Sequence, residues 1–329
     1  MKQWAASAAL AALAVVLLQK PARAQSAPDL IPGEGPQPWP HVLPFLGKKA
    51  AERGINLQLP IGIGVNYLYM AQDINIDRIA LSANDNPTQN ADFIKFRRVQ
   101  SKVSALTLRP DLWILPFLSV YGIVGVGNAS AKVELESPIS LKTTVEQAAR
   151  TWGFGLTGAF GFEGFWLSAD LNWSWTSLEN LIDPVSGRVF SARAGKAFRF
   201  PGGHSLSLWA GTMHQHLVVQ TQGHIRLDEA LPPGALEGFG EALAAGCDNL
   251  SGPQAILCNQ LAAQYDPVKA GANVVNYDLD KSLTDPWNLL VGAQYAFEPH
   301  WYVRTEVGFI GRVSFLLSMN YRFGLGWGD

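Results

Sequence analysis

The chain of 329 residues has a formal net charge of −2, which gives no electrostatic reason to expect a nucleic-acid partner. Charged residues make up 16%, below the quarter that is usual in soluble domains, while 11 Trp and 32 Gly are present. Few charges with many Trp and Gly are typical of a protein whose outer face contacts lipid. A large soluble β-sandwich has a similar composition, so composition alone leaves both classes open.

The first 24 residues predict a secretory signal peptide. Lys2 provides a positive start, residues 5–18 form an apolar run, and the tripeptide Ala-Arg-Ala at 22–24 has the small-x-small pattern of a cleavage site. The mature chain is therefore expected to begin at Gln25, in an oxidising compartment. No later run reaches 18 consecutive apolar residues, so a helical membrane span in the mature chain is not expected.

Residues 25–55 are predicted to form a periplasmic leader. Pro and Gly are frequent at its start, and no hydrophobic period is present there. A short helix is expected over 46–53, ending at Gly54.

From residue 56 onward, apolar and polar residues alternate with the period of two that a half-buried strand requires. In 165–176 the odd positions read Phe, Leu, Ala, Leu, Trp, Trp, and the even positions Trp, Ser, Asp, Asn, Ser, Thr. A change of phase near Met213 predicts a bulge. Lys196 also has the parity of an apolar face, which the pattern leaves unexplained unless this residue lies near a membrane edge. The ten predicted strands are 57–71, 95–109, 115–127, 152–162, 165–176, 188–200, 204–224, 287–297, 301–309 and 313–323.

Short and long connections alternate between these strands. The short ones are 110–115, 163–164, 201–203 and 298–300, and the long ones are 73–94, 128–150, 177–187 and 228–285, with a tight turn at 311–312 in the long set. This alternation is typical of short periplasmic turns and long outer loops. Because lipid offers no partner for backbone groups, such a sheet has to close on itself. We therefore predict an all-β fold, a closed up-and-down antiparallel transmembrane β-barrel of about ten strands over 56–323, with a helical outer loop at 228–285 and a tail at 324–329.

The end of the last predicted strand reads Asn320-Tyr321-Arg322-Phe323. It resembles the closing strand of bacterial outer-membrane β-barrel proteins, whose terminal aromatic residue is read by the barrel-assembly machinery. With the signal peptide and the alternation, the resemblance extends loosely over 56–323. It implies location in the bacterial outer membrane, outer-membrane lipid and the assembly machinery as partners, and an assembly signal at Tyr321 and Phe323. Many members end at the aromatic residue itself, whereas a tail follows it here.

Strand parity also predicts which polar side chains face the lumen. Basic residues outnumber acidic ones among them, which favours a narrow aqueous path with a mild preference for anions. The alternative is a packed polar interior that conducts nothing, because small barrels often have filled interiors. The small residues on one face of 151–162 leave inner space for bulky neighbours, for a ligand or for the 46–53 helix. The lumen candidates are Arg98, Lys102, Asp170, Asn172, Arg193, Arg304, Glu306 and Arg322, with Asn66, Gln294 and Asn320.

The long loop at 228–285 contains both cysteines of the chain, Cys247 and Cys258. Their spacing is not Cys-x-x-Cys and no His lies near them in sequence, so we predict a structural disulfide rather than a metal or redox pair. Short helices are expected over 232–246 and 252–265, pinned together by this bridge. The loop is either a lid or binding surface at the outer rim or a stable decoration of it.

No catalytic residue, metal or cofactor is predicted. Two His at 214 and 216 share one side of a strand, but no third ligand is evident. A membrane-embedded hydrolase remains as an alternative, although its candidate groups form no recognisable motif. Those groups are His204 and Ser205 at a periplasmic turn, and His224, Asp228, Asp278 and Asp280 at the outer rim.

The leading functional hypothesis is therefore a non-enzymatic barrel that passes small solutes. The second is a surface adhesin or receptor with a closed lumen that acts through 228–285. The solute or surface ligand stays unidentified in both.

Overall fold

The computed structural model describes residues 38–82, 89–162, 164–201, 203–217, 220–226, 239–264 and 274–326. Predicted features in 1–37, including the signal peptide, lie outside these residues. Three helices are described: α1 Gly47–Glu52, α2 Phe239–Cys247 and α3 Gly252–Gln264. None of them is long and apolar enough to cross a membrane.

Ten antiparallel strands form a closed barrel, as predicted. They are β1 Ile61–Ser82, β3 Lys95–Leu115, β4 Leu118–Ser137, β5 Leu141–Phe162, β6 Phe165–Leu178, β7 Val185–Arg199, β8 Ser205–Leu217, β11 Trp287–Ala296, β12 Trp301–Phe309 and β13 Arg312–Phe323. Three further strands are β2 Gln89–Asn90, β9 Gln220–Arg226 and β10 Val274–Leu283. The last strand closes the barrel on the first, from Ile61 opposite Phe323 to Gln72 opposite Arg312. Closure leaves neither strand with a free edge over this length.

The barrel wall has an apolar outer face and a polar inner face. Exposed apolar residues recur at every second position of the spanning strands, as the alternation predicts, while Asn66, Ser318 and Asn320 on the other face are buried. This is the arrangement of a barrel whose outside meets acyl chains rather than water. Exposed outward residues include Ile63, Val65, Tyr67, Leu106, Leu108, Val124, Val126, Trp152, Phe154, Leu156, Phe165, Leu167, Leu171, Leu208, Leu289, Val291, Val307, Val313, Leu317 and Met319.

Lys196 illustrates how the outer face ends near the short turns. It shares the outward face, and its Nζ lies 4.9 Å from the ring centroid of Phe165 and 5.6 Å from that of Phe198. An ammonium held over aromatic rings at the end of a strand fits the expected membrane edge.

Two connections predicted as long loops are mostly strand. β1 continues to Ser82, and β4 and β5 form a hairpin that pairs as far as Leu135 opposite Leu141. The stretches 73–82 and 128–150 therefore extend the wall beyond the apolar band. Above that band the outward face meets no lipid, so the sequence loses the outward apolar residues by which the spanning strands were recognised.

The long loop contributes two strands to this outer extension. β10 pairs with the outer half of β1, from Ile74 opposite Leu283 to Ser82 opposite Asn276, with a register shift between Ile76 and Arg78. β9 pairs with β10 on its other side. The segment predicted as one bulged strand over 204–224 is thus two strands, β8 and β9, with different neighbours.

The residues before β1 cover the other end of the barrel. The predicted helix at 46–53 is present as α1, and Ala50 and Ala51 on it are buried. The backbone N–H of Phe45 donates to the carbonyl of Ile114, and that of Val42 donates to the carbonyl of Leu325. The leader is therefore attached to both β3 and the chain that follows β13.

Candidate functional site

A network of ion pairs crosses the middle of the lumen, centred on Arg193 of β7. Its Nη1 lies 2.5 Å from Oδ2 of Asp170 on the neighbouring strand β6. Its Nε and Nη2 donate to the two carboxylate oxygens of Glu306 on β12, at 2.6 and 2.9 Å. The Arg193 side chain is 9% exposed and that of Glu306 7% exposed. This bidentate pair joins strands that are not neighbours in the sheet.

Glu306 has further partners on its own side of the lumen. The indole Nε1 of Trp209 donates to it at 2.7 Å, and Nη2 of Arg304 donates to it at 3.1 Å. The guanidinium of Arg304 also lies 4.8 Å from the Trp209 ring centroid, within cation–π distance. Three donors therefore compensate one buried carboxylate.

Asp170 is compensated in the same way on the opposite side. The hydroxyl of Thr157 donates to its Oδ1 at 2.6 Å, and Nη2 of Arg109 lies 3.7 Å from that oxygen. Arg109 in turn lies 3.5 Å above the ring of Tyr121. The network thus reaches from β3 through β8 and across to β12.

Aromatic rings fill the space beside glycines on the inner wall. A Cβ added to Gly155 would meet the Tyr121 ring at 2.4 Å, and one added to Gly292 would meet the Trp209 ring at 2.3 Å. Only a glycine permits such an approach of ring to backbone. The space that the small residues of 151–162 leave is therefore occupied by a neighbouring side chain.

A second polar cluster lies nearer the short turns. Arg322 donates through Nε to the carbonyl of Leu59 at 2.8 Å and through Nη2 to Asp111 at 2.7 Å. The hydroxyl of Ser318 donates to Oδ1 of Asn66 at 2.5 Å and accepts from Nδ2 of Asn320 at 2.7 Å. These contacts connect β13 to β1, to β3 and to the residues just before β1.

Most of the predicted lumen residues share this interior. Asp170, Arg193, Arg304 and Glu306 are brought together in one network, and Arg322 lies in the second cluster. Asn172 forms a hydrogen bond with Tyr121 beside the network.

The assignment of Arg98 and Lys102 to the lumen has to be corrected. Both are exposed and have the parity of outward-facing Leu106 and Leu108. Arg98 pairs on the outer surface with Asp73, at 3.0 Å. Both lie in the part of β3 above the apolar band. An outward side chain there is in water, so a charge on it has little desolvation cost.

Four important lumen residues were not identified from the sequence: Arg109, Asp111, Tyr121 and Trp209. The first two fell at a predicted strand end and connection, whereas β3 continues to Leu115. The alternation set by Leu106 and Leu108 was the signal that would have placed them inward.

The outer end of the extension carries two packed helices, which we call the helical cap: α2, α3 and the link between them. The predicted disulfide between Cys247 and Cys258 is present, and both residues are buried. Leu257 of α3 is 2% exposed. The cap packs against apolar residues of the surrounding strands and hairpin, in a cluster that comprises Leu81, Ala91, Phe93, Cys247, Leu257, Cys258, Leu261 and Tyr277.

A groove of about 450 Å³ opens in the wall of the extension between β1 and β3. Pairing of these strands stops at Ile74 opposite Val99, and β1 next pairs with β2 at Ala80 opposite Asn90. Side chains of both charges line the groove, including Asp77, Asp92, Lys95, Arg97 and Arg98.

The candidate hydrolase groups at the rim have structural partners where they are described. Nε of Arg78 donates to Asp280 at 2.7 Å, and Nε2 of Gln220 donates to Asp278 at 2.9 Å. His224 pairs with Asn276 across the β9–β10 ladder, and Asp228 lies outside the described residues.

The paired histidines of β8 face outward. His214 packs against the ring of Trp287 at 4.7 Å, and His216 lies opposite Arg188 of β7. Within the described part of the chain, no group of three His, Cys, Asp or Glu side chains is arranged to hold a metal ion.

Comparison with known proteins assigns the chain to no family. No family model matches the chain, and no curated protein matches it. Among solved structures, the β domain of the Bordetella autotransporter BrkA is 9% identical with a TM-score of 0.38, covering 80% of this chain and 100% of that one. The outer-membrane protein OprG of Pseudomonas aeruginosa is 11% identical with a TM-score of 0.35, covering 81% and 98%. The toluene transporter TbuX of Ralstonia pickettii is 9% identical with a TM-score of 0.30, covering 81% and 90%.

These likenesses are too distant to transfer an activity. The closed ten-stranded sheet, its apolar outside and its polar inside are themselves the fold of a bacterial outer-membrane β-barrel.

Proposed function

We propose that the protein is a non-conducting outer-membrane barrel that presents the helical cap at the cell surface as a receptor or adhesin. The observation that carries this proposal is the pairing of Arg193 with both Asp170 and Glu306, which joins opposite parts of the wall. Buried charges that are fully paired in this way hold one arrangement, because separating one leaves others uncompensated.

The cap supports the same conclusion at the outer end. Its buried disulfide and its apolar contacts with the strands give it a fixed structure, which is what a binding surface needs. The groove beside β1 lies in the same outer extension and adds charged groups of both signs for ligand contact. The ligand stays unidentified.

Passage of small anions is the second candidate. It is supported by an excess of arginine over carboxylate among these described inward residues. The five arginines are Arg109, Arg193, Arg304, Arg312 and Arg322, and the three carboxylates are Asp111, Asp170 and Glu306. A membrane-embedded hydrolase is weaker, because Asp278 and Asp280 are engaged by Gln220 and Arg78.

Two measurements test the proposal. An epitope inserted at 259–260, on the exposed side of α3, should be labelled by antibody on intact cells. The matched control is the same epitope inserted at 298–300, which should be labelled only after the outer membrane is permeabilised. Proteoliposomes that contain the mature protein should not swell in arabinose. Swelling, or labelling of the cap only after permeabilisation, would contradict the proposal.

A further inference from the structure

The outward face of β5 and β6 carries a cluster of stacked aromatic rings at the end of the apolar band nearer the long loops. The ring centroids of Trp152 and Trp175 are 4.4 Å apart, and those of Phe154 and Trp173 are 5.4 Å apart. Aromatic girdles of barrels lie at the level of the lipid headgroups. This cluster therefore marks the outer edge of the membrane on one side of the barrel.

Basic side chains lie directly beside this cluster on the same outward face. Arg150 precedes Trp152 by two residues on β5, toward the loops, and Arg188 of β7 lies opposite Trp173. His216 of β8 lies opposite Arg188 on its other side. All three are exposed. We call Arg150, Arg188 and His216, with the adjoining indoles, the rim patch.

The two arginines of the rim patch have no carboxylate partner among the described residues. The exposed acid nearest to Arg150 in the sheet is Glu179, which directly follows Leu178 opposite Ala149, and no ion pair joins Glu179 to Arg150 in the described part of the chain. On β5 itself the next outward acid is Glu146, roughly 13 Å away along the strand. Three other outward cations of the extension do have a carboxylate partner. Arg98 lies 3.0 Å from Asp73, and Lys132 and Lys142 lie 3.4 and 3.5 Å from Glu134.

The spacing of the two guanidinium groups suits a large headgroup. Arg150 lies opposite Ser177 and Arg188 lies opposite Trp173, both on β6. Four residues along β6 and two strand spacings place their Cα atoms roughly 16 Å apart. The stacked indoles lie between them, and the long side chains can approach each other from either end.

We propose that the rim patch binds the phosphorylated headgroup of a lipid in the outer leaflet. Guanidinium groups make strong, directional hydrogen bonds to phosphate oxygens, and tryptophan is favoured at the membrane interface. An exposed cation without a carboxylate partner is free to accept such an anion. The inference rests on the proposed placement of the long loops outside the cell.

The test uses the full mature chain inserted in phosphatidylcholine vesicles that contain purified lipopolysaccharide. After extraction in mild detergent, the bound lipopolysaccharide per folded barrel is measured by native mass spectrometry. The double variant Arg150→Gln/Arg188→Gln should retain about thirtyfold less, the effect expected of two basic residues beside an anionic membrane surface. Two matched controls, Arg98→Gln and Lys196→Gln, should retain as much as the unaltered protein.

The outcomes are distinct. Equal retention by the double variant would overturn the rim patch, and so would an equal loss in the Lys196→Gln control, which would indicate unspecific charge. Retention of inorganic phosphate instead of lipopolysaccharide when both are supplied would show that a free ion, not a headgroup, is the ligand, and would also overturn it. Failure of the unaltered chain to insert would overturn the proposed location together with the patch. Heat-modifiable migration of each variant confirms that the barrel has folded.

Discussion

The barrel is held together at two levels by opposite chemistry. In the middle of the barrel, Arg193, Asp170 and Glu306 join distant strands through buried charges. At the outer end, the cap is held to the wall by apolar side chains and contains a disulfide that links residues 11 positions apart. Rigid strands from several parts of the chain can hold charged groups at fixed positions. A local loop has no such frame, so it is held by apolar burial and a covalent link.

The largest expected effect comes from breaking the central network. Arg193→Met leaves Asp170 with its weaker neighbours and removes a bidentate partner from Glu306. Loss of one member of a buried ion pair typically costs about 3 to 5 kcal/mol of the free energy of unfolding. Urea unfolding in lipid vesicles, followed by the loss of the heat-modifiable band, measures this change.

Arg98→Met is the matched control for that experiment. The Arg98 and Asp73 side chains are 55% and 40% exposed, so solvent screens their interaction. A change below about 1 kcal/mol is expected for such a surface pair. If both variants lose the same free energy of unfolding, the interior network stabilises the barrel no more than a surface ion pair does.

Removing the disulfide tests the cap separately. In the chain-entropy model, closing a loop of this size contributes about 3 kcal/mol, so Cys247→Ser/Cys258→Ser should destabilise α2 and α3 by that order. Hydrogen exchange should rise in the cap and stay unchanged in the spanning strands. Faster exchange in β6, β7 and β12 would show instead that the cap and the network form one cooperative unit.

Gly292→Ala tests how tightly the lumen is filled. The new methyl group would overlap the Trp209 ring, whose indole N–H donates to Glu306. Overpacking of this kind costs about 1 to 3 kcal/mol. The same unfolding measurement applies, with Gly158→Ala as the control, because its nearest neighbouring atom lies 4.0 Å away. A neutral effect at both positions would mean that the space beside Gly292 is not filled.

The smallest effect concerns the leader at the other end. Burial lowers the pKa of His41, although a backbone hydrogen bond with Leu325 acts in the opposite direction. His41 is therefore protonated less readily when the segment is docked than when it is undocked. Its attachment should weaken as the pH falls through the ordinary His pKa of about 6.5. Faster hydrogen exchange in 42–47 at lower pH, absent in His41→Gln, is the expected result, and equal pH dependence in both would contradict it.

Much of the barrel was predictable because lipid outside and polar groups inside give each strand two contrasting faces. The strands β6, β11, β12 and β13 match their predicted ranges to within two residues. The contrast disappears above the membrane, and there the outer halves of β1, β4 and β5 were taken for loops. β10 was also missed, although Val275, Tyr277 and Leu279 alternate with polar residues.

The candidate site was less predictable. Parity placed Arg193 and Glu306 on the inner face, but nothing in one sequence pairs residues 113 positions apart on strands that are not neighbours. Parity was wrong for Arg98 and Lys102, because a charge pointing outward above the membrane gives the same pattern as a charge pointing into the lumen. Trp209 was not singled out from the sequence, although its indole N–H is part of the network.

The central claim is that the lumen is closed in the unaltered protein. Single-channel recording of the refolded mature chain in a planar bilayer tests it most directly, with the heat-modifiable band as proof of folding. The network and the cap predict no steady conductance in either direction of a salt gradient. A stable ohmic conductance that favours anions would contradict this account and would favour passage of small anions past Arg193.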